Sequence, residues 1–176
     1  MSEKVTIQIP EDFQAQYEDG IFTLSNGKEV TKKMEHALVD IEINDGEAEF
    51  STPSTKKDIK SILHTFKSHV KNMIQGLQDG HTYKMKGVYA HFPMTVKTEN
   101  NQVVIDNFMG ERNPRKVDIM DGVTVEVDGE DLTLTGADKD SVAQTAARIE
   151  QICHKGNRDP RTFQDGVYVT SKGDQK

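Results

Sequence analysis

The chain has no tryptophan, a single cysteine, few aromatic residues and no long apolar run. Only 34% of its 176 residues are apolar and 6% are aromatic, so any hydrophobic core is small, and small domains often need a partner surface. No segment approaches the ~20 consecutive apolar residues of a membrane span, and the first ten residues lack the apolar run of a signal peptide. The lone Cys153 excludes an internal disulfide and a CxxC metal pair. We expect a soluble, cytoplasmic protein.

Motifs of catalysis are also missing. The sequence contains no GxSxG, no P-loop, no GxGxxG after a predicted strand and no HExxH. The six histidines are scattered over different predicted elements, and His64 and His69 are five residues apart, the wrong step for a metal pair on one helix face. Most acidic residues lie in predicted turns or at outward strand positions. We therefore expect no enzyme, no catalytic residue, no metal, no cofactor and no small-molecule substrate.

The charge is unevenly distributed. The net charge of −7 argues against a nucleic-acid partner. However, residues 1–81 hold nine lysines and fourteen acids, whereas residues 82–176 hold thirteen basic and fifteen acidic residues, including all five arginines. Because the planar guanidinium suits phosphate, this distribution favours the second half as a phosphate-binding region. Drift in residue preference explains it equally well.

An internal repeat is the most informative feature of the sequence. VDIEINDGEAEF and the helical stretch after it match VTVEVDGEDLTL and its own helical stretch at an offset of 83 to 84 residues. In each copy, alternating apolar residues predict a strand, a Gly-containing turn predicts a hairpin, and a 3.6-residue period predicts a helix. The helices are expected at about 56–77 and 139–152. Within the second helix, Cys153 is expected to be a small apolar core residue.

Another hairpin is predicted upstream of each copy, at 21–34 and 94–105, so that each unit consists of a strand, two hairpins and a helix. The predicted fold class is therefore α+β, with two tandem similar domains, each an antiparallel sheet covered by one main helix. We place the domains at 1–81 and 82–176.

Three groups of cations are candidates for binding. One lies on the first helix, where a solvated flank is favoured over a phosphate-facing ridge: Lys56, Lys60, His64, Lys67 and Lys71. Another lies in NFMGERNPRK at 107–116, where Gly and Pro predict a loop that leaves the sheet and holds its cations outward. The third lies in the C-terminal stretch, expected to be irregular from Gly156 and anchored by Phe163, Val167 and Tyr168. These groups favour a binding module, with RNA ahead of protein as its partner.

Three separated segments resemble a known family. FKSHVKNMIQGLQDGHTYKMKGVYAHFPM at 66–94 is similar to the interdomain segment of the L-six family of large-subunit ribosomal proteins, in its archaeal and eukaryotic branch. NFMGE at 107–111 and FQDGVYV at 163–169 resemble two further hallmark segments of that family. The resemblance covers nearly the whole chain, in order. The net negative charge is unusual for a ribosomal protein but is shared by haloarchaeal members of this family, which indicates an archaeal source.

The resemblance implies a structural constituent of the large ribosomal subunit. Members of this family have two similar α+β domains and bind large-subunit rRNA near the base of the sarcin–ricin loop, beside the translation-factor site, among neighbouring ribosomal proteins. Their second domain makes the main rRNA contacts. The alternative is a free-standing protein-interaction module with an acidic first domain. The rRNA-binding residues implied by the resemblance are Arg112, Arg115, Lys116, Lys155, Arg158, Arg161 and Lys172, and less directly Lys84, Lys86 and His91.

Overall fold

The computed structural model describes residues 3–44, 46–154, 156, 158–159 and 161–173. The chain divides into two compact units, one up to Asp79 and one from Gly80 onward. This division lies two residues before the expected boundary, because His81 already begins the first strand of the second unit. Each unit combines antiparallel strands with one long helix, which confirms the α+β fold class of two similar sheet-and-helix domains.

The described residues of the first unit form six strands and one helix. Its strands form two three-stranded antiparallel sheets, in the orders β1-β6-β5 and β2-β3-β4. The elements are β1 Glu3–Gln8, β2 Gln14–Glu18, β3 Ile21–Asn26, β4 Lys28–Lys33, β5 Asp40–Asn44, β6 Glu47–Thr52 and α1 Lys57–Gln78.

Helix α1 forms because its apolar side chains recur at three- and four-residue steps. Leu63, Phe66, Val70 and Met73 are all buried, and they share one face of the helix. On that face, the Phe66 ring packs against Phe50 of β6 at 6.3 Å between centroids. This contact joins the helix to the repeated hairpin of the first unit.

In the second unit, the part of the chain that the structure describes forms seven strands, a short 3₁₀ turn and one helix. Its antiparallel sheets have the orders β10-β9-β8 and β11-β12-β7-β13. The elements are β7 His81–Val88, β8 Thr95–Glu99, β9 Gln102–Asp106, the 3₁₀ turn Phe108–Gly110, β10 Arg115–Asp118, β11 Val123–Asp128, β12 Asp131–Gly136, α2 Lys139–Ile152 and β13 Gly166–Lys172.

Helix α2 begins with a side-chain cap and packs into the core of the second unit. Asp138 accepts hydrogen bonds from the backbone N–H groups of Asp140 and Ser141, which satisfies two donors that the first turn of a helix leaves unpaired. Val142 and Ile149 face a core shared by both sheets, and the core also includes Cys153. The prediction of Cys153 as a buried apolar residue is confirmed.

Three strands were not expected from the sequence, namely β2, β10 and β13. Both repeated hairpins and both helices lie within about one residue of their predicted positions. Strand β10 pairs with β9, and β13 pairs with β7 across a register shift between Val169 and Ser171. Because β10 and β13 carry predicted binding residues, they change the geometry of the candidate site.

Candidate nucleic-acid interface

Lys84 and Lys86 lie on the exposed face of the four-stranded sheet. Along β7 they alternate with Tyr83 and Met85, which are buried, and alternate residues of a strand point to opposite faces. The register places Lys172 of β13 opposite Tyr83. Strand alternation therefore puts Lys172 on the helix side of the sheet, and it does not form one surface with Lys84 and Lys86. The expectation that Lys172 lies in an irregular segment is wrong, because it ends a strand.

The expected loop at 107–116 is only partly a loop. Arg115 and Lys116 belong to β10, where they pair with Ile105 and Val104 of β9. The prediction that they lie in a loop leaving the sheet is therefore wrong, whereas Arg112 does lie in the connection before the strand. Sequence periodicity does not indicate this short strand, because Pro114 directly precedes it and RKVD contains only one apolar residue. Lys116 remains exposed.

The guanidinium of Arg115 is used within the fold. Its Nε and Nη2 donate to the two carboxylate oxygens of Glu111, at 2.8 and 2.6 Å. Its Nη1 donates to the backbone carbonyls of Ile152 and His154, where α2 ends. Its central carbon lies 4.3 Å from the centroid of the Phe108 ring. Arg115 therefore joins three parts of the second unit, contrary to the expectation that it points outward.

The Glu111 carboxylate is held in its charged form by this contact. The hydrogen bond from Arg115 lowers the pKa of Glu111, and the lowering outweighs the opposite effect of burial. A bidentate pair of this kind is geometrically demanding as well as favourable. The end of α2 also gains a cation, which suits the partial negative charge of a helix C-terminus. Arg115 and Glu111 thus fix the NFMGE turn against α2.

The NFMGE turn is conformationally unusual. Asn107, Met109 and Gly110 have φ angles of 57°, 53° and 77°, a region that residues other than glycine rarely adopt. The Asn107 side chain donates a 2.8 Å hydrogen bond to the carbonyl of Pro93. A Cβ built on Gly110 would lie 3.3 Å from the Phe92 ring. The turn therefore holds residues 92–93, so that two of the three hallmark segments meet.

The third hallmark segment meets the first through Asp165. This carboxylate is almost fully buried, at 1% exposure, and its Oδ1 lies 2.9 Å from Nδ1 of His91. Its Oδ2 accepts the backbone N–H groups of Ala90 and His91, both at 3.2 Å. The sequence does not indicate this role, because an Asp before a Gly is typical of an ordinary turn.

Hydrogen bonding keeps Asp165 ionised despite its burial. Burial alone would raise the pKa of this carboxyl, but the His91 ring and the two backbone N–H donors together lower it to about 2. An ionised carboxylate can only accept hydrogen bonds, so the ring nitrogen Nδ1 of His91 carries the hydrogen and donates it. The orientation of the His91 ring is therefore fixed.

His91 belongs to a cluster of planar groups with Phe163 and Arg158. The rings of His91 and Phe163 are stacked, with centroids 4.9 Å apart and planes inclined by 28°. The guanidinium carbon of Arg158 lies 4.8 Å from the centroid of Phe163. The structure thus brings two predicted binding residues together around an aromatic ring. Of the three expected apolar anchors, Phe163 and the buried Val167 act as such, whereas Tyr168 is exposed.

A recess lies beside this cluster. It has a volume of about 230 Å³ and is lined by Phe108, Met109, Glu111, Arg115, His154, Gly156 and Arg158. Two of the predicted cations, Arg115 and Arg158, therefore face one cavity. Arg161 stands apart from it, 90% exposed, and pairs with Asp159 at 3.3 Å. Lys155 lies outside the described residues.

The lysine stripe of the first unit is only partly available for other contacts. Lys60 forms an ion pair with Glu3 of β1. Lys67 and Lys71 line a separate recess of about 600 Å³ together with Ile7 and Ile74. These contacts favour the solvated-flank interpretation for Lys60 and leave the phosphate-ridge interpretation open for the two lysines near the recess.

The described residues form neither a metal-binding cluster nor a membrane-spanning helix. Within the described ranges, no group of three or more His, Cys, Asp or Glu side chains is arranged to hold a metal ion. In the same part of the chain, no helix combines the length and the apolar character needed to cross a bilayer.

Comparison with known proteins gives a consistent result. The family model described as ribosomal protein L6 matches residues 92–166, which contain the NFMGE turn, Arg158, Phe163 and Asp165. The chain is 39% identical over 176 aligned residues to large ribosomal subunit protein uL6 of Archaeoglobus fulgidus, covering 97% of this chain and 90% of that relative. It is 39% identical to uL6 of Haloarcula marismortui over 96% of both chains. It is 42% identical to uL6 of Methanobrevibacter smithii over 94% of both.

Proposed function

The chain belongs to the uL6 family of large-subunit ribosomal proteins, and we propose that its second unit binds large-subunit rRNA near the base of the sarcin–ricin loop, beside the site where translation factors dock. Neighbouring ribosomal proteins are the other partners of the chain. As a member of a family of ribosomal structural proteins, the chain is not an enzyme, and its place is on the cytoplasmic ribosome. The named family leaves the free-standing interaction module without support.

One observation supports this proposal above the others: contacts within the second unit hold two of the candidate binding residues, Arg158 and His91, in place. Arg158 lies on the Phe163 ring, which stacks on His91, and Asp165 fixes that histidine. Preorganised side chains lose less conformational freedom on binding. Phosphate contacts made by such cations position a protein on its nucleic acid, and structured RNA is recognised largely by its shape and backbone.

The proposed contacts divide into two roles. Arg115 acts as a positioning residue, because its donors already serve Glu111 and the end of α2. Other cations of the second unit meet the phosphate backbone, each as a charge-assisted hydrogen-bond donor. The exposed ones are Lys84, Lys86, Arg112, Lys116, Arg158, Arg161 and Lys172. Lys155, which the sequence also proposes, lies outside the described residues.

Binding to a defined RNA tests the proposal. The full chain is titrated against a transcript of the archaeal large-subunit rRNA domain that contains the sarcin–ricin loop, and against an unrelated structured RNA of equal length at the same salt concentration. We expect a clear preference for the rRNA transcript. Equal affinity for both RNAs would contradict the proposed site, because phosphate attraction alone does not distinguish them.

A further inference from the structure

We propose that the second unit stacks one unpaired RNA base on the planar cluster of Arg158, Phe163 and His91, at the rim of the recess lined by Phe108 and Arg115. This inference rests on the proposed function and specifies the part of the RNA that the site recognises. The ligand is a nucleotide whose base has left its helix. The cluster therefore contributes more than phosphate attraction.

The planar groups of the cluster are arranged as a stacking surface. Three flat π-systems lie in contact, with 4.9 Å between the His91 and Phe163 centroids and 4.8 Å from the Arg158 guanidinium to Phe163. The His91 side chain is 38% exposed, and Arg158 is exposed as well. Unpaired RNA bases stack on aromatic rings and on guanidinium planes of this kind. A phosphate contact would need only the charge of Arg158, not the ring beneath it.

Hydrogen bonds to the buried Asp165 fix His91 in the cluster before RNA binds. Asp165 holds the His91 ring through Nδ1 and holds its backbone through the N–H groups of residues 90 and 91. Because the Asp165 carboxylate is buried and ionised, with its pKa lowered to about 2, this arrangement persists throughout the physiological pH range. The histidine can therefore offer its ring without losing rotational freedom on binding.

The neighbouring recess has the size and chemistry of a site for a single base. Its volume of about 230 Å³ is below the ~300–1,000 Å³ of pockets that take drug-sized ligands, and it cannot admit a double helix. Phe108 lies at its base, buried at 1% exposure, and Arg115 is fixed over that ring at 4.3 Å. His154 and Arg158 line the same recess. A base stacked at its rim would have both ring and cation contacts within reach.

Two substitutions separate stacking from charge. R158K keeps the positive charge and removes the guanidinium plane, whereas F163L keeps apolar volume and removes the ring. The matched control is R148K, the same chemical change at an exposed position of α2 outside the cluster. Affinity is measured for the full chain against the sarcin–ricin transcript and against a fully paired duplex of equal length, with thermal unfolding of each variant recorded alongside.

For the transcript, we expect R158K and F163L each to weaken binding about 5- to 160-fold, the range found when one base–aromatic stack is lost. We expect both to bind the duplex as the wild type does, and R148K to match the wild type on both RNAs. Wild-type affinity of R158K and F163L for the transcript would overturn the stacking site. Equal weakening on transcript and duplex would overturn it too, since the contact would then be with the backbone.

The two proposals fail in different ways. If the unmodified chain shows no preference for the transcript over an unrelated RNA, the proposed function is wrong. If it shows that preference and the two variants retain it, the proposed function stands and only the stacking site is wrong. A variant with a lowered unfolding temperature is compared at a temperature at which its native state is fully populated.

Discussion

The ring of His91 and the carboxylate of Asp165 are joined by a 2.9 Å hydrogen bond across 74 residues of sequence. This contact ties the segment that follows β7 to the segment that precedes β13, and those strands are themselves paired. A single buried carboxylate therefore connects two hallmark segments of the family. The geometry of the proposed rRNA site depends on it.

The Asp165→Asn substitution is expected to destabilise the second unit in a pH-dependent way. In the folded protein the pKa of Asp165 is about 2, below its ordinary value of 3.8, so the group stabilises the fold above pH ~4 by roughly 2 kcal/mol. That contribution is lost as the pH falls toward 2. Chemical denaturation of wild type and D165N at several pH values measures the difference.

The stability difference between wild type and D165N should be largest near pH 7 and should shrink progressively between pH ~4 and ~2. Glu150→Gln serves as a control, because Glu150 is an exposed carboxylate on α2. A D165N variant with wild-type stability at pH 7 would show that the His91–Asp165 contact does not hold the segment.

The Arg115→Lys substitution should destabilise the fold although it keeps the charge. A lysine cannot reproduce the two bonds to Glu111, the bonds to the end of α2 and the contact over Phe108 together. Losing charged hydrogen bonds in this partly buried place is expected to cost about 1.5–3 kcal/mol of unfolding free energy. Equilibrium urea unfolding measures it.

The control for Arg115 is Arg112→Lys, since Arg112 lies three residues away and is exposed. We expect the unfolding free energy of R112K to remain within about 0.5 kcal/mol of wild type. If R115K were equally harmless, Arg115 would not be a positioning residue.

Replacing Arg158 and Arg161 together by Ala should weaken rRNA binding and leave the fold intact. Each lost charge-assisted hydrogen bond is expected to cost on the order of 1.5–3 kcal/mol of binding free energy. The dependence of affinity on salt should also become shallower, by about one phosphate contact per residue. Filter binding across a salt series, with circular dichroism for the fold, checks both.

The double variant is compared with Arg148→Ala, which removes an exposed arginine from α2. Unchanged affinity of R158A/R161A at every salt concentration would refute the assignment of these two residues to the rRNA contact.

The Gly110→Ala substitution should destabilise the protein by more than the cost of placing alanine at a positive φ angle. Gly110 has a φ of 77°, and an added Cβ would press on the Phe92 ring at 3.3 Å. Gly129 also has a positive φ, of 63°, but nothing lies within 4 Å of its added Cβ. Both alanine variants should lose about 1–2 kcal/mol of unfolding free energy because of the left-handed backbone. G110A should lose more than G129A because of the contact with Phe92.

Thermal unfolding of the two variants measures this difference. If G110A and G129A lost equal unfolding free energy, the Phe92 ring would move aside at no energetic cost. The NFMGE turn would then not position Phe92.

Local pattern was sufficient to predict the repeated part of the fold. Strand alternation around Gly46 and Gly129, and the apolar periods of α1 and α2, depend on residues close together in the chain. Strands β10 and β13 could not be predicted in this way. Each has few apolar residues of its own and is held by pairing with a strand that is distant in sequence, so local periodicity does not indicate it.

The candidate site shows the same limit. The sequence offered the cations as candidates, but it could not show that Arg115 turns inward to Glu111 while Arg158 lies on Phe163. Nor could it identify Asp165 as a buried acceptor, because its donors at residues 90 and 91 are far away in sequence. The expectation that the partner is rRNA came from the resemblance to a family. The separation of Arg115 as a positioning residue from the proposed binding residues came from the contacts in the structure.

The most direct measurement is a structure of the assembled large subunit that resolves the side chains of the second unit. The account predicts that Arg158 and Arg161 lie within hydrogen-bond distance of rRNA, and that Arg115 remains bound to Glu111. Guanidinium groups of Arg158 and Arg161 facing bulk solvent in that particle would contradict it.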